Sequence, residues 1–252
     1  MDLKKIMKPK AFLAINFFLM FVLLLSMGIN QVVVAKTYNQ LGMKSDVFKA
    51  ITGAVIKTKL SDSGNVALAG NATADAIKLV ISQGVPEVYG PELAVSYDAV
   101  QQSMNVLLQY DPTYGKQKIV LTGDDLNRYI DIGSKIACEY CCGATSIVFK
   151  DGQAACGCAH SQAMRGLAAY LIKNHGAEYT NDQILRELAR WKGMFFPKQM
   201  IQKMAQALQD GKFNPDIAAL VMGLKLPDYG SGGKSAPLPS DIENLPGMVG
   251  GC

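Results

Sequence analysis

The sequence has little histidine and lacks the motifs that mark several large enzyme families. Its 252 residues include only two histidines, His160 and His175, and neither has nearby partners for a Ser-His-Asp triad. There is no G-x-S-x-G elbow, no HExxH helix, no Walker loop and no glycine fingerprint of a dinucleotide-binding fold. The sequence therefore favours a binding role over catalysis, without deciding whether the protein is an enzyme.

Charge is also scarce, at 18% of residues against 49% hydrophobic ones. Three of the four net positive charges come from residues 1–10, which hold four lysines and one aspartate. The remaining chain carries 21 basic and 20 acidic side chains. Because nucleic-acid binding depends on clustered positive charge, the sequence predicts no nucleic-acid partner.

The N-terminal segment indicates export. An apolar run over residues 11–28, continued over 29–35, is long enough to form a helix across a bilayer core of about 30 Å. The lysines before it place the N-terminus in the cytoplasm and the bulk of the chain outside the cytoplasm. Val33 and Ala35 fit a signal-peptidase site, in which case the protein is secreted. The length of the run favours the other outcome, a single-pass membrane anchor.

The predicted organisation has four parts. Residues 1–35 are a signal anchor or signal peptide, and 36–84 are a membrane-proximal region. Residues 85–226 are a helical, cysteine-rich metal-binding domain. Residues 227–252, rich in glycine, proline and serine, form a flexible tail and a candidate segment for binding a partner protein. The predicted fold class is mainly α with a small β-hairpin (α+β), preceded by one transmembrane or signal helix.

Apolar periodicity and capping residues predict the helices and strands around the cysteines. A helix that starts at Thr122 is expected to carry Cys138 at its C-terminal end. A hairpin follows over residues 145–156, and a second helix starts near Ser161. The other predicted elements are helices over 66–83, 96–108, after Thr180, 197–210 and 214–224, and a short strand over 118–121.

Five of the six cysteines and one histidine fall between residues 138 and 160, in two short motifs, CxxCC and CxCxH. Thiolates and imidazole are ligands of tetrahedral zinc, and such spacings let one turn present two ligands to one ion. Zinc is therefore the predicted cofactor. Six groups are more than four positions need, and neighbouring cysteines do not easily share one tetrahedral ion. The candidate ligands are Cys138, Cys141, Cys142, Cys156, Cys158 and His160.

Several chemistries fit this motif. A zinc ion that only holds two helices together is the simplest. The surplus thiols also suit a soft-metal site for Cu(I), Hg(II) or an iron–sulfur cluster. Thiol–disulfide exchange and plain structural disulfides are further alternatives. Cys158 precedes a helix N-terminus, whereas Cys138 is expected at a helix C-terminus, so the helix dipoles predict the lower thiol pKa at Cys158.

Four residues outside the motifs carry separate expectations. Cys252, at the end of the tail, either reaches back to the cluster, forms an intermolecular disulfide or stays free. Arg165 is expected in a surface salt bridge, and Gly166 is expected to let the hairpin approach its helix. His175 is expected to interact with a helix C-terminus.

The run CEYCCGA…ACGCAHSQAMRGLAAYLI, followed by RWKGMFFPKQM, resembles a group of uncharacterised prokaryotic exported proteins, archaeal and candidate-phylum bacterial. These share a CxxCCG…CGCAH motif and one N-terminal hydrophobic segment. The resemblance covers about residues 85–205 and implies a domain type and export rather than a reaction.

Overall fold

The structure, a computed structural model, describes residues 57–58, 67–230 and 243–250. Over these ranges the protein is mainly helical. None of the helices in the described part of the chain is long and apolar enough to cross a membrane. The predicted N-terminal span over residues 1–35 lies outside the described residues.

The elements follow one another with short connections. A two-residue strand β1 pairs in parallel with β2, in the register Lys57–Val85. Two 3-10 turns, Tyr97–Ala99 and Leu108–Tyr110, flank α3. The bounds are β1 Lys57–Thr58, α1 Ala72–Val80, β2 Val85–Pro86, α2 Tyr89–Leu93, α3 Val100–Leu107, α4 Gly123–Ser134, α5 Ala159–His175, α6 Asn181–Phe195, α7 Pro197–Asp210 and α8 Pro215–Val221.

Helix α5 lies at the centre of the helical packing. It contacts α3, α4, α6 and the 3-10 turn at Leu108–Tyr110, while α6 also contacts α7 and α8, and α1 packs on α7. The apolar stripe that predicted α5 is fully inside the core, because several other elements pack around this helix. Its members are Met164, Leu167, Ala168, Leu171 and Ile172.

Several predicted helix starts are confirmed. Thr180 and Gln183 form a reciprocal capping box at the start of α6. Pro197 is the first residue of α7, where its missing N–H is not needed. Ser96 accepts from the N–H of Asp98, at the 3-10 turn that leads into α3.

Two local predictions are wrong. Helix α4 ends at Ser134, four residues before Cys138. There the N–H of Ile147 donates to the carbonyls of Gly133 and Ile136, at 3.1 and 2.9 Å, in place of a further turn of helix. Residues 118–121 are not a strand, since no strand in the described ranges pairs with them and Val120 is 75% exposed.

The predicted hairpin is present in a minimal form. It consists of one antiparallel bridge, Val148–Ala154, closed by a turn in which Phe149 donates to Gln153 at 2.8 Å. The hairpin lies directly on α4, where a Cβ at Gly133 would meet Val148 at 2.4 Å. This close packing fixes the loop that carries the cysteines against the helical core.

Candidate metal centre

The first cysteine motif follows α4 through a tight reversal of the chain. Glu139 adopts a left-handed backbone with φ 57°, which is uncommon for a residue other than glycine. The N–H of Tyr140 donates to the carbonyl of Cys138 at 2.6 Å. The reversal leaves Cys138 buried, Cys141 half-buried and Cys142 exposed.

The second motif is held in place by a buried arginine. Arg165 of α5 donates to the carbonyls of Ile147 and Cys156 at 3.2 and 2.7 Å, and so ties both strands of the hairpin to the helix. It also forms two hydrogen bonds with Asp111, at 2.9 and 2.8 Å, and both side chains have no exposure. The expectation of a surface salt bridge at Arg165 is therefore wrong.

Four of the predicted ligands converge. One ligand atom from each of Cys138, Cys141, Cys158 and His160 lies within 4.8 Å of the others. The Cys138 and Cys158 sulfurs are 3.6 Å apart. Because Zn–S bonds are about 2.3 Å, two sulfurs on a tetrahedral zinc lie about 3.8 Å apart, so this group can hold a metal with little movement.

The surplus thiols form a second group that shares one member with the first. Cys142, Cys156 and Cys158 also place their sulfurs within 4.8 Å of one another. Cys158 therefore belongs to both groups. The more buried group has one nitrogen and three sulfurs, and the more exposed group has three sulfurs. The structure places the neighbours Cys141 and Cys142 in different groups, as expected for residues that do not easily share one tetrahedral ion.

His160 is oriented as a metal ligand would be. Its buried imidazole lies 5.2 and 4.7 Å from the rings of Phe195 and Phe196. Its Nε2 is 2.9 Å from the carbonyl oxygen of Val249, which only accepts, so Nε2 carries the proton. Nδ1 is buried without a hydrogen-bond partner. A backbone carbonyl that fixes one ring nitrogen while the other stays free is the usual arrangement around a ligating histidine.

Electrostatics favour a thiolate at Cys158. The Cys138 and Cys158 sulfurs share a hydrogen bond at 3.6 Å, and the Ser161 N–H of α5 donates to the Cys158 sulfur at 3.4 Å. Together these hydrogen bonds outweigh burial and hold the pKa of Cys158 well below its usual range, whereas the pKa of Cys138 is raised. The position of Cys158 before α5 agrees with the predicted lower pKa there, whereas the helix C-terminus expected at Cys138 is absent. Burial, with a hydrogen bond to Cys142, raises the pKa of Cys156 to about 11.

The oxidation state differs among the cysteines. Cys138, Cys142, Cys156 and Cys158 are free thiols. Cys141 is disulfide-bonded. A sulfur in a disulfide has no thiolate to give to a metal, so the group of four has three available ligands in this state and four after reduction.

The remaining predictions lie away from the cluster or outside the described residues. Cys252 is outside them. His175, at the end of α5, contacts two carboxylates, Glu92 at 2.8 Å and Glu178 at 3.1 Å. The approach that Gly166 permits is to α3 rather than to the hairpin, since its Cβ would lie 2.0 Å from the carbonyl oxygen of Leu107.

The sequence interpretation missed two contributors to the site. Asp111 lies before α4, which separates it from the first cysteine, and no local pattern links it to Arg165. Val249 acts through its backbone carbonyl, which any residue type would supply. The one signal in the sequence was Cys252, three residues after Val249, which was allowed to reach back to the other cysteines.

Comparisons of the chain with protein-family models, with curated proteins and with solved structures find no match. The functional interpretation therefore depends on the side chains of the site itself. Those side chains form a cysteine and histidine cluster that can hold a metal ion.

Proposed function

We propose that this protein is an extracytoplasmic metal-binding module that holds one zinc ion through Cys138, Cys158 and His160, with Cys141 as the fourth ligand once its disulfide is reduced. The observation that carries the proposal is the buried Nδ1 of His160, which has no hydrogen-bond partner. The imidazole of His160 lies in one group with three cysteine sulfurs. Leaving a buried polar atom without a partner costs about 1–3 kcal/mol. A metal bond to that nitrogen removes the cost.

The donor set favours zinc. Three sulfurs and one imidazole complete a closed tetrahedral site, the type that proteins use to join structural elements. Here the ion joins the segment after α4 to the start of α5. The exposed group of Cys142, Cys156 and Cys158 has three thiols and no nitrogen, a donor set that Cu(I) favours, so a soft metal is the alternative occupant.

The location outside the cytoplasm is supported by two independent features. Residues 11–35 are apolar and follow a group of lysines, as in a membrane anchor with a cytoplasmic N-terminus. Cys141 is in a disulfide, and disulfides persist in oxidising compartments. The membrane is thus the proposed partner of the N-terminal segment. Labelling of intact cells with a membrane-impermeant thiol reagent tests this location, because Cys142 is exposed.

Metal content tests the function. The full chain is purified without oxygen, its zinc is measured by elemental analysis, and its thiols are alkylated before and after chelation. The expected result is one zinc per chain, with Cys138 and Cys158 alkylated only after chelation. Cys158→Ser is expected to lose the zinc, and Cys142→Ser, the matched control in the exposed position, is expected to keep it. A chain without metal whose four free thiols react at once would contradict the proposal.

A thiol–disulfide oxidoreductase is the second candidate, and the contact of Cys158 with the oxidised Cys141 favours it. The two sulfurs are within 4.8 Å. In the exchange step the Cys158 thiolate bonds to the Cys141 sulfur, the bond to Cys141's partner breaks, and that partner leaves as a thiolate. Rapid reduction of a small aromatic disulfide by the metal-free chain, lost in Cys158→Ser, would support this candidate over the zinc module.

A further inference from the structure

The more exposed thiol group is built on backbone that α5 holds in place. Arg165 donates to the carbonyl of Cys156 at 2.7 Å. Gln162 donates to the carbonyl of Gly157 at 2.6 Å. Cys158 is the N-cap of α5, and its sulfur accepts from a backbone N–H of the first turn. One helix therefore fixes the whole CxC segment, so two of the three sulfurs are positioned before any ion binds.

The third thiol of this group comes from the other motif. The sulfur of Cys142 lies within 4.8 Å of the sulfurs of Cys156 and Cys158. All three residues are free thiols, whereas Cys141 is disulfide-bonded. The exposed group thus offers every one of its sulfurs in the oxidation state of the structure, without a reduction step.

The number and type of the donors favour Cu(I). The group consists of three sulfurs, with no imidazole or carboxylate among the described residues. Around a central ion with bonds of about 2.3 Å, as in zinc thiolate sites, three sulfurs lie about 4 Å apart, which is within the observed limit. Cu(I) is a soft ion that three thiolates satisfy, whereas zinc needs a fourth ligand.

This group is also open to an incoming ion. Cys142 is exposed, and a Cβ added at Gly157 would meet no atom within 4 Å. Cys138 and His160 of the other group are buried. An ion therefore reaches the exposed group without any movement of the helical core.

We propose that Cys142, Cys156 and Cys158 bind one Cu(I) ion beside the zinc ion, with the Cys158 sulfur bonded to both metals. Cys158 belongs to both groups, and its sulfur is 3.6 Å from that of Cys138. A thiolate has three lone pairs, so one sulfur can bond two ions. The inference rests on the proposed function for the shared role of Cys158. Binding transfers no electron, since copper stays in the +1 state and Cys142 and Cys156 release their protons to solvent.

Copper titration tests the second site. The zinc-loaded full chain receives up to one equivalent of Cu(I) from a bicinchoninate complex, without oxygen or disulfide reductant, and both metals are then measured. The expected result is one Cu(I) and one zinc per chain. Cys142→Ser is expected to lower the Cu(I) affinity at least tenfold and to keep the zinc. Cys138→Ser, the matched control in the buried group, is expected to lose the zinc and to keep the Cu(I).

X-ray absorption at the copper edge tests the bridge. The expected spectrum has three sulfur neighbours around copper and a zinc atom as the next heavy scatterer. A nitrogen neighbour, or only two sulfurs, would overturn the three-thiol site. Three sulfurs without a zinc neighbour in the zinc-loaded chain would overturn the shared role of Cys158.

The two proposals fail in different ways. If Cu(I) displaces the zinc one for one, the two groups are a single site, so the second site is wrong and the zinc site stands. Equal Cu(I) affinity in the wild type and in Cys142→Ser would also contradict the second site. If the chain takes up no zinc but binds Cu(I) through Cys142, the proposed function and the bridge both fail, and the three-thiol copper site alone is supported.

Discussion

The cysteine cluster and the Arg165–Asp111 pair are both polar centres beside α5, but they differ in how completely their groups are paired. Arg165 uses three of its nitrogens in four hydrogen bonds, two of them to Asp111. In the cluster, by contrast, the free thiols contact mainly one another, and Nδ1 of His160 has no partner.

Two other buried charged networks of the core resemble the Arg165 pair. Glu187 accepts from the hydroxyls of Tyr89 and Tyr97 at 2.8 Å, and Tyr89 in turn accepts from Trp191. Lys192, with no exposure, donates to Asp216 at 2.7 Å. In these networks the buried side chains are hydrogen-bonded to one another, so they need no added ion.

The difference indicates which region needs a further component. A paired network contributes to one folded structure, and losing either partner is costly. A cluster of donors without partners gains stability only when protons, a disulfide or a metal ion satisfies them.

Breaking the buried pair has the largest expected effect. Arg165→Met leaves the Asp111 carboxylate buried without its partner, which costs about 3–5 kcal/mol of the free energy of unfolding. Lys135→Met, which breaks an ion pair that is 39% and 44% exposed, is the control and is expected to cost less than about 1 kcal/mol. Urea unfolding of both variants measures the difference. Equal losses would show that the Arg165 pair is not a core network.

Filling the contact between α5 and α3 comes next. In Gly166→Ala the new methyl group would lie 2.0 Å from the carbonyl oxygen of Leu107, so the helices must separate, at an expected cost of about 3 kcal/mol. Gly157→Ala, between two cysteines, meets no atom within 4 Å and should change stability by less than about 0.5 kcal/mol. Thermal unfolding compares the two. A loss at Gly157 as large as that at Gly166 would contradict the open surroundings of the loop.

Removing the C-terminal segment that contains Val249 is expected to weaken metal binding moderately. Deleting residues 243–252 takes away the carbonyl that orients His160, and loss of such a partner typically costs 10–100-fold in metal affinity. Reduced Cys252→Ser is the matched reference, because it keeps Val249 and lacks the thiol. Competition with a chromophoric chelator measures both affinities. Unchanged affinity after deletion would show that Val249 does not orient the ligand.

The smallest effect concerns His175 and pH. Burial opposes its charged form, but the hydrogen bonds to Glu92 and Glu178 outweigh burial and raise the pKa of His175. A raised pKa means that the stabilisation is fully present below the unfolded value of about 6.5 and is lost as pH rises through the folded value. Because Glu92 and Glu178 are 43% and 60% exposed, the loss is expected to be under about 1 kcal/mol.

The free energy of unfolding at pH 5.5 and at pH 9, in the wild type and in His175→Gln, checks this expectation. The wild type should lose more stability over this interval than the variant. An identical loss in both would mean that the ion pairs of His175 do not contribute.

The cluster was more predictable from the sequence than the structure that holds it. CxxCC and CxCxH bring their ligands together over short chain distances, and capping signals such as Thr180 and Pro197 act within a single turn, so local spacing was sufficient. The end of α4 at Ser134 depends instead on hydrogen bonds from Ile147, thirteen residues away. Such long-range contacts leave no local signature.

The same reason explains the missed roles of Arg165 and Val249. Arg165 looks like any arginine on a helix, and only the packing of Asp111 shows that it is buried. Val249 contributes a carbonyl, which the residue type does not encode. The export topology, the N-terminal span and the family resemblance remain predictions.

The dependence of stability on zinc tests directly whether the cluster binds a metal. The urea midpoint of the reduced full chain is measured with excess zinc and with chelator, in the wild type and in Cys158→Ser. At a free zinc concentration 1,000 times the dissociation constant, binding to the folded state alone would stabilise it by about 4 kcal/mol. A metal site at this cluster predicts a clear rise in the midpoint for the wild type and none for Cys158→Ser. No rise in the wild type, or the same rise in both, would contradict a metal site at this cluster.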